Sequence, residues 1–295
     1  MSPTPIVTGA DGSAESLDAV RWAARAARLH GRPLEIRHAL DFPALLAGGE
    51  VPPPEDMLDA LRARGRRALR TAQELAAAQG VSDTVTRLDP DRAAQSLIEA
   101  SRTAALLVVG ASGRGRCAGP LAGSVAAAIG THGLCDTVVV RGDHWDEPDT
   151  GGPVVTGIDG SDTGNRVLAT ALAEARAREV PLVVLHAWAD EPPAEPDRQA
   201  VAEAGRRLLD ARVPDTGDVE VARVVVPAHP RRELVERSAA AQLIVLGDRG
   251  RGGFPGLLLG STARALLHHA ACPVLLVRTR HSPGATAGPA VAWTG

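Results

Sequence analysis

The segment Pro5-Ile6-Val7-Thr8-Gly9-Ala10-Asp11-Gly12-Ser13 returns in the middle of the chain as Pro153-Val154-Val155-Thr156-Gly157-Ile158-Asp159-Gly160-Ser161, an offset of 148 (159 − 11). A repeat on this scale sets the domain boundaries before any element is assigned, because each copy must be a unit that folds. His38-Ala39 returns as His186-Ala187 at the same offset, and Val109-Gly110 returns as Leu246-Gly247 at 137 (247 − 110). The second copy has therefore lost 11 residues (148 − 137) between these landmarks, where the first carries Val51-Pro52-Pro53-Pro54 and an Ala- and Arg-rich helix. A length of 295 residues, near twice an ordinary domain of about 150, agrees with two copies. The expected domains are 1–142 and 153–279. They are joined by a linker rich in Asp, Gly and Pro, and residues 280–295 form a flexible tail.

Strands and helices alternate within each copy. Ile6 to Ala10 reads as a strand, and Ser13 caps a helix whose apolar face includes Leu17, Val20, Ala24 and Ala27. Further strands are expected at Leu34 to Leu40, Thr84 to Leu88, Ala105 to Val109 and Thr137 to Val140. The intervening helices are expected near Pro54 to Gln79, from Asp91 through Ser101, and at Ser124 to His132. The second copy repeats the strands near 154–158, 182–187, 221–226, 243–246 and 274–277. Alternation of this kind implies an α/β fold: two tandem, doubly wound, parallel five-stranded sheets of Rossmann-like type. The last strand of each copy is an apolar edge, and reciprocal covering of those edges would pack the two domains as a pseudo-dimer.

Composition narrows the function. A net charge of −3, from 32 basic and 35 acidic residues, gives no general attraction to nucleic acid or anionic membranes. Aromatic content of 2%, with no Tyr, removes stacking platforms for single strands. Apolar runs are too short to span a membrane, and the cysteines Cys117, Cys135 and Cys272 form no CxxC pair, so a cytoplasmic protein is expected.

After the fourth strand comes Gly110-Ala-Ser-Gly113, then nine residues, then Gly123-Ser124; the second copy has Gly247-Asp-Arg-Gly250, nine residues, and Gly260-Ser261. Glycines at the carboxyl edge of a parallel sheet let a phosphate approach main-chain N–H groups. The helix opening at Ser124 or Ser261 adds free amides, the positive end of its dipole and a hydroxyl. Arg114, Arg249 and Arg251 are available to add charge, or to lie solvated. Neither the P-loop pattern nor the dinucleotide fingerprint is present. Asp11 and Asp159 end the first strand beside this loop, where a carboxylate serves either as acceptor for a nucleoside or as a turn and helix cap.

Val-Thr-Gly-x-Asp-Gly-Ser at the start, His-Ala after the second strand, and Gly-x2-Gly-x9-Gly-Ser near the end together resemble universal stress proteins, and the resemblance covers nearly the whole chain twice. It implies the ATP-binding branch: the first-strand Asp on the adenosine, backbone after the second strand on the base, and the glycine loop on the phosphates. Carried over, these roles fall to Asp11, Ala39, Gly110, Gly113, Gly123 and Ser124, and to Asp159, Ala187, Gly247, Gly250, Gly260 and Ser261. The implied ligand is ATP, with Mg as a companion ion, and the implied role is stress-response nucleotide sensing; pairing of whole chains into a homodimer follows by the same analogy. The departures are Cys117-Ala-Gly-Pro-Leu-Ala in the first loop and Asp248, a negative charge beside the second.

No nucleophilic triad repeats in the chain, and no protein metal site is read, since His268 and His269 are adjacent and point apart. His38 and His186 end apolar strands at equivalent positions and read as structural, with a base or pocket role as the alternative. Rival functions are a slow adenine-nucleotide hydrolase, a partner-binding scaffold with structural glycine loops, and a phosphoacceptor receiver. The receiver lacks its acidic pair and its lysine.

Overall fold

The computed structural model describes residues 3–41, 54–113, 123–142, 152–161, 163–188, 197–250 and 259–278. The first copy runs β1 (Ile6–Gly9), α1 (Ala14–Leu29), β2 (Leu34–Ala39), α2 (Glu55–Ala78), β3 (Thr84–Asp89), α3 (Ala93–Ala100), β4 (Leu106–Gly110), α4 (Ser124–His132) and β5 (Asp136–Val140). The second runs β6 (Val154–Gly157), α5 (Thr163–Arg178), β7 (Leu182–Ala187), α6 (Asp197–Arg212), β8 (Val221–Val226), α7 (Pro230–Arg237), β9 (Leu243–Gly247), α8 (Ser261–His269) and β10 (Val274–Val277). The chain divides into two compact units between Val140 and Arg141.

In the first unit the strands lie in the order β3-β2-β1-β4-β5, all parallel. The second has the equivalent order β8-β7-β6-β9-β10, also parallel. The chain winds outward from β1 through β2 to β3, then returns to the other side of β1 for β4 and β5. The loops leaving β1 and β4 therefore diverge, and a crevice opens between them at the carboxyl edge. Register fixes this geometry: Thr8 stands opposite Val108, and Ala39 opposite Asp89.

The central strands are buried on both faces, as parallel strands covered by helices must be. Leu106, Leu107 and Val108 of β4 and Leu243, Ile244 and Val245 of β9 are 0–2% exposed, each burial contributing roughly 1.5–3 kcal/mol. Against β1 and β4 of its own unit α1 lays Ala19, Val20, Ala23, Ala24 and Ala27, all buried, so small side chains bring the helix close to the sheet. Ser13 caps α1 by accepting from the Ser16 amide at 3.2 Å.

Observed elements depart from expectation at their ends. β1 stops at Gly9, and α3 starts at Ala93 because Arg92 is extended, with φ −69° and ψ 142°. Ser101 lies just past α3 as its cap: its hydroxyl donates to the Ile98 carbonyl and accepts from the Leu134 amide, tying α3 to the turn before β5. Ser238 does the same with Val235 and Ala271 in the second unit. The helix between the second and third strands has 24 residues as α2 and 16 as α6, which absorbs eight of the 11 missing residues.

Candidate functional site

Asp11 follows β1 directly. Its Oδ1 accepts from the Ser13 amide at 2.8 Å and from the Ser13 hydroxyl at 2.6 Å, across Gly12 at φ 82°. This is the Asx turn that Asp-Gly-Ser favours. Asp159 accepts from the Ser161 amide at 2.9 Å in the same way, while the Ser161 hydroxyl turns to Thr163 at 2.8 Å. One oxygen of each carboxylate is thus used in a turn. The other faces the glycine loop, since a Cβ built on Gly113 would stand 2.8 Å from Asp11 Oδ2, and one on Gly250 would stand 2.9 Å from Asp159 Oδ2. Any side chain there would fill the space between loop and carboxylate. The loop is a cradle because these two positions are glycine.

The other glycines act differently. A Cβ on Gly110 would meet the Glu15 carbonyl oxygen at 2.5 Å, so this glycine lets the first turn of α1 cross the end of β4. The amides of Gly123 and Gly260 close the loop onto the carbonyls of Ala111 at 2.6 Å and Asp248 at 2.8 Å. The donors offered to an anion are therefore those that a helix start leaves without intrahelical partners, at Ser124 to Ala126 and Ser261 to Ala263.

At the end of β2 the His38 ring contacts the Ala10 carbonyl through Nδ1 at 2.6 Å, and His186 contacts the Ile158 carbonyl at 2.9 Å. A carbonyl only accepts, so Nδ1 carries the proton in both. Each imidazole pins the peptide just before the strand-one Asp, and the structural reading of both histidines holds.

Around His38 the copies diverge. Arg37 is held by Glu35 at 2.6 Å and by Asp89 at 3.3 Å, Arg87 meets Glu35 at 3.1 Å, and the Ser96 hydroxyl donates to Asp89. The corresponding residues of the second unit are Val183, Leu185, Val224 and Val226 on β7 and β8. Arg37 and Ser96 line the first cavity, and Leu185 lines the second.

Each unit has a cavity at the switch point, of about 450 Å3 in the first and about 500 Å3 in the second. Asp11, Ala39, Gly110, Gly113, Gly123 and Ser124 all line the first, and Asp159, Ala187, Gly247, Gly250, Gly260 and Ser261 all line the second. The sequence reading missed Arg37, Asp41 and Ser96 as lining residues. For Arg37 the available signal was a charge on a strand where the second copy has Leu185.

Asp248 does not line its cavity: it is buried, with Oδ2 3.7 Å from the equally buried Arg278 guanidinium. Cys272 is buried, and burial pushes its thiol up to about 12; Cys135 is half-buried. His268 and His269 end α8 with ring centroids 6.1 Å apart. Among the described residues no three His, Cys, Asp or Glu side chains converge as a metal site, and no helix is long and apolar enough to cross a membrane. Arg114, Gly115, Cys117, Arg251 and the tail lie outside the described residues.

Comparison with known proteins gives a consistent picture. The model of the universal stress protein family matches residues 3–141 and again 152–278. A universal stress protein of Mycolicibacterium smegmatis is 37% identical over 287 residues, covering 93% of this chain and 97% of the relative. Universal stress protein Rv2623 of Mycobacterium tuberculosis is 37% identical over 288 residues, covering 92% and 96%. Among solved structures, a universal stress protein from Archaeoglobus fulgidus matches with a TM-score of 0.70 at 17% identity, covering 93% of this chain and 96% of that one, a likeness of fold.

Proposed function

We propose, from the premise that the chain belongs to the universal stress protein family as a tandem two-domain member, that each domain binds one adenine nucleotide, ATP foremost, and that the chain acts as a cytoplasmic stress-response nucleotide sensor. One observation carries the reading: in each unit the strand-one carboxylate, the glycine cradle and the open start of a helix surround a single cavity at the switch point. Cavities of about 450 and 500 Å3 fall within the roughly 300–1,000 Å3 of small-molecule sites. In this reading Asp11 and Asp159 accept from the nucleoside, the ends of β2 and β7 at Ala39 and Ala187 meet the base, and the phosphates sit over Gly113 and Gly250 against α4 and α8. A magnesium ion would travel with the phosphates rather than occupy a protein site.

The constellation is one for binding. Asp11 and Asp159 are committed on one side to turns, and among the described residues no activated nucleophile lies beside the cradle, so nucleotide turnover is expected to be slow or absent. The last strands, β5 and β10, each end their own unit's order and are strongly apolar, which favours mutual covering and a pseudo-dimer; pairing of whole chains follows by analogy with the family.

The test is calorimetry of nucleotide-stripped protein with ATP. Two sites per chain are expected, falling to one in Gly113→Val and to one in Gly250→Val, because a side chain in either place must displace the facing carboxylate. Absence of heat and of competition by any adenine nucleotide would move the assignment to a scaffold.

A further inference from the structure

Among the described residues, the two cavities place their cations in different positions. In the first, the described arginine on the wall is Arg37, at the β2 end, and both Glu35 and Asp89 hold its guanidinium. The loop between Gly110 and Gly113 contributes Ser112 to that cavity. In the second, the β7 end is Leu185, and the loop between Gly247 and Gly250 contributes Arg249, the residue equivalent to Ser112 (249 − 112 = 137). Arg249 is half-buried in the wall beside Gly260 and Ser261, and among the described residues no carboxylate pairs with it. The neighbouring carboxylate, Asp248, points away into its contact with Arg278.

The charge of the walls differs accordingly. Among the described residues, the first cavity shows Asp11, Asp41 with Arg92 at 3.8 Å, and an arginine already held by two carboxylates; the second shows Asp159 and, at the cradle, a guanidinium with which no carboxylate pairs. A planar guanidinium binds phosphate oxygens in pairs, and such charge-assisted bonds are the strong ones. Resting on the reading that both cavities take adenine nucleotides, we infer that Arg249 makes the second site steeply selective for nucleotides with more phosphates, while the first site discriminates less. The chain then holds two sensors tuned to different features: the second to phosphate charge, the first to the nucleoside end that Arg37 and Ser96 line.

The experiment uses the full chain, stripped of nucleotide and without divalent metal, so that no ion masks phosphate charge. Gly113→Val leaves the second site to be titrated alone, and Gly250→Val the first. AMP, ADP and ATP are titrated into each, and the ratio of AMP to ATP dissociation constants is the readout. The ratio is expected to be larger in the second site by about tenfold, the worth of one charge-assisted interaction. Arg249→Ser should bring it down to that of the first site, and rising salt should shrink it. Ser112→Arg in the Gly250→Val background should raise the first site's ratio, and it decides the matter if Arg249→Ser fails to fold. Binding with equal ratios in both sites, or ratios unmoved by Arg249→Ser and Ser112→Arg, overturns this inference and leaves nucleotide binding standing. No adenine nucleotide binding by the unmutated chain overturns both.

Discussion

Gly65, in the middle of α2, lies directly against the ring of His38: a Cβ built on it would stand 2.8 Å from His38 Cδ2 and 2.6 Å from Leu88 Cδ1. Gly205 of α6 faces His186 at 3.0 Å in the same manner. A glycine inside a helix costs about 1 kcal/mol relative to alanine. It is retained here in both copies at the point where a helix crosses a ring fixed by its bond to the strand-one carbonyl.

Gly65→Ala is therefore expected to destabilise despite its better helix propensity. Leu88 can shift, but His38 is pinned at Nδ1, and overpacking of this kind costs roughly 1–3 kcal/mol. Gly164→Ala is the contrast, since its Cβ would meet nothing within 4 Å: neutral to about 1 kcal/mol more stable. Urea midpoints at constant slope distinguish the two. A stabilised Gly65→Ala would show that the ring yields.

His38→Ala removes the donor to the Ala10 carbonyl and opens a void beside Gly65. A loss of about 1–3 kcal/mol is expected, the cost of a buried acceptor left unmatched. The variant should also weaken nucleotide binding in the first site, because Ala10 leads directly into Asp11, and leave the second unchanged. Equal weakening of both would refute this local role.

How far these relationships were legible depends on what each required. Strands, helices and the gathering of the glycine pairs with Asp11 and Asp159 followed from period, turn chemistry and the repeat, which reported every element twice. The Arg37, Asp89 and Ser96 network did not, because it depends on the lateral register of β2 with β3, and single-strand patterns carry no such information. Gly110 reads from the sequence as part of a phosphate loop, and it lines the first cavity; that its missing side chain is also required by the path of α1 over β4 is not legible there. That crossing is a tertiary fact with no local signal. Likewise, Asp248 read as a charge beside the loop, and only the fold shows it turned onto Arg278.

Arg37→Leu should cost roughly 1–3 kcal/mol, since the side chains of Glu35 and Asp89, 12% and 20% exposed, would lose their shared cation. Combining it with Glu35→Val, Arg87→Val and Asp89→Val installs the apolar set of β7 and β8 and should recover most of the loss. Thermal melts of the single and quadruple variants check this; failure to recover would mean that the helices over β2 and β3 require the charged pattern.

Alkaline titration offers a clean reading of Cys272. Its folded pKa is raised to about 12, against 9.0 for an ordinary thiol, so the folded state holds a proton that the unfolded chain releases. Stability from this group is complete below pH 9 and falls as pH rises from 9 towards 12, by up to roughly 1.4 kcal/mol per pH unit. The chain contains no tyrosine and no lysine, which would otherwise titrate in that window. Denaturant midpoints between pH 8 and 11 should decline in the unmutated protein and stay flat in Cys272→Ala. A slope that persists in Cys272→Ala would assign it elsewhere.

Because the His–Gly contact, the Asx turn and the cradle recur in both units, a substitution at any of these three in one copy carries its own reference in the same molecule, at identical concentration, temperature and buffer. A tandem protein of this kind is a built-in matched pair. Differences between its halves can be read as physical chemistry, free of the uncertainty that separates one preparation from another.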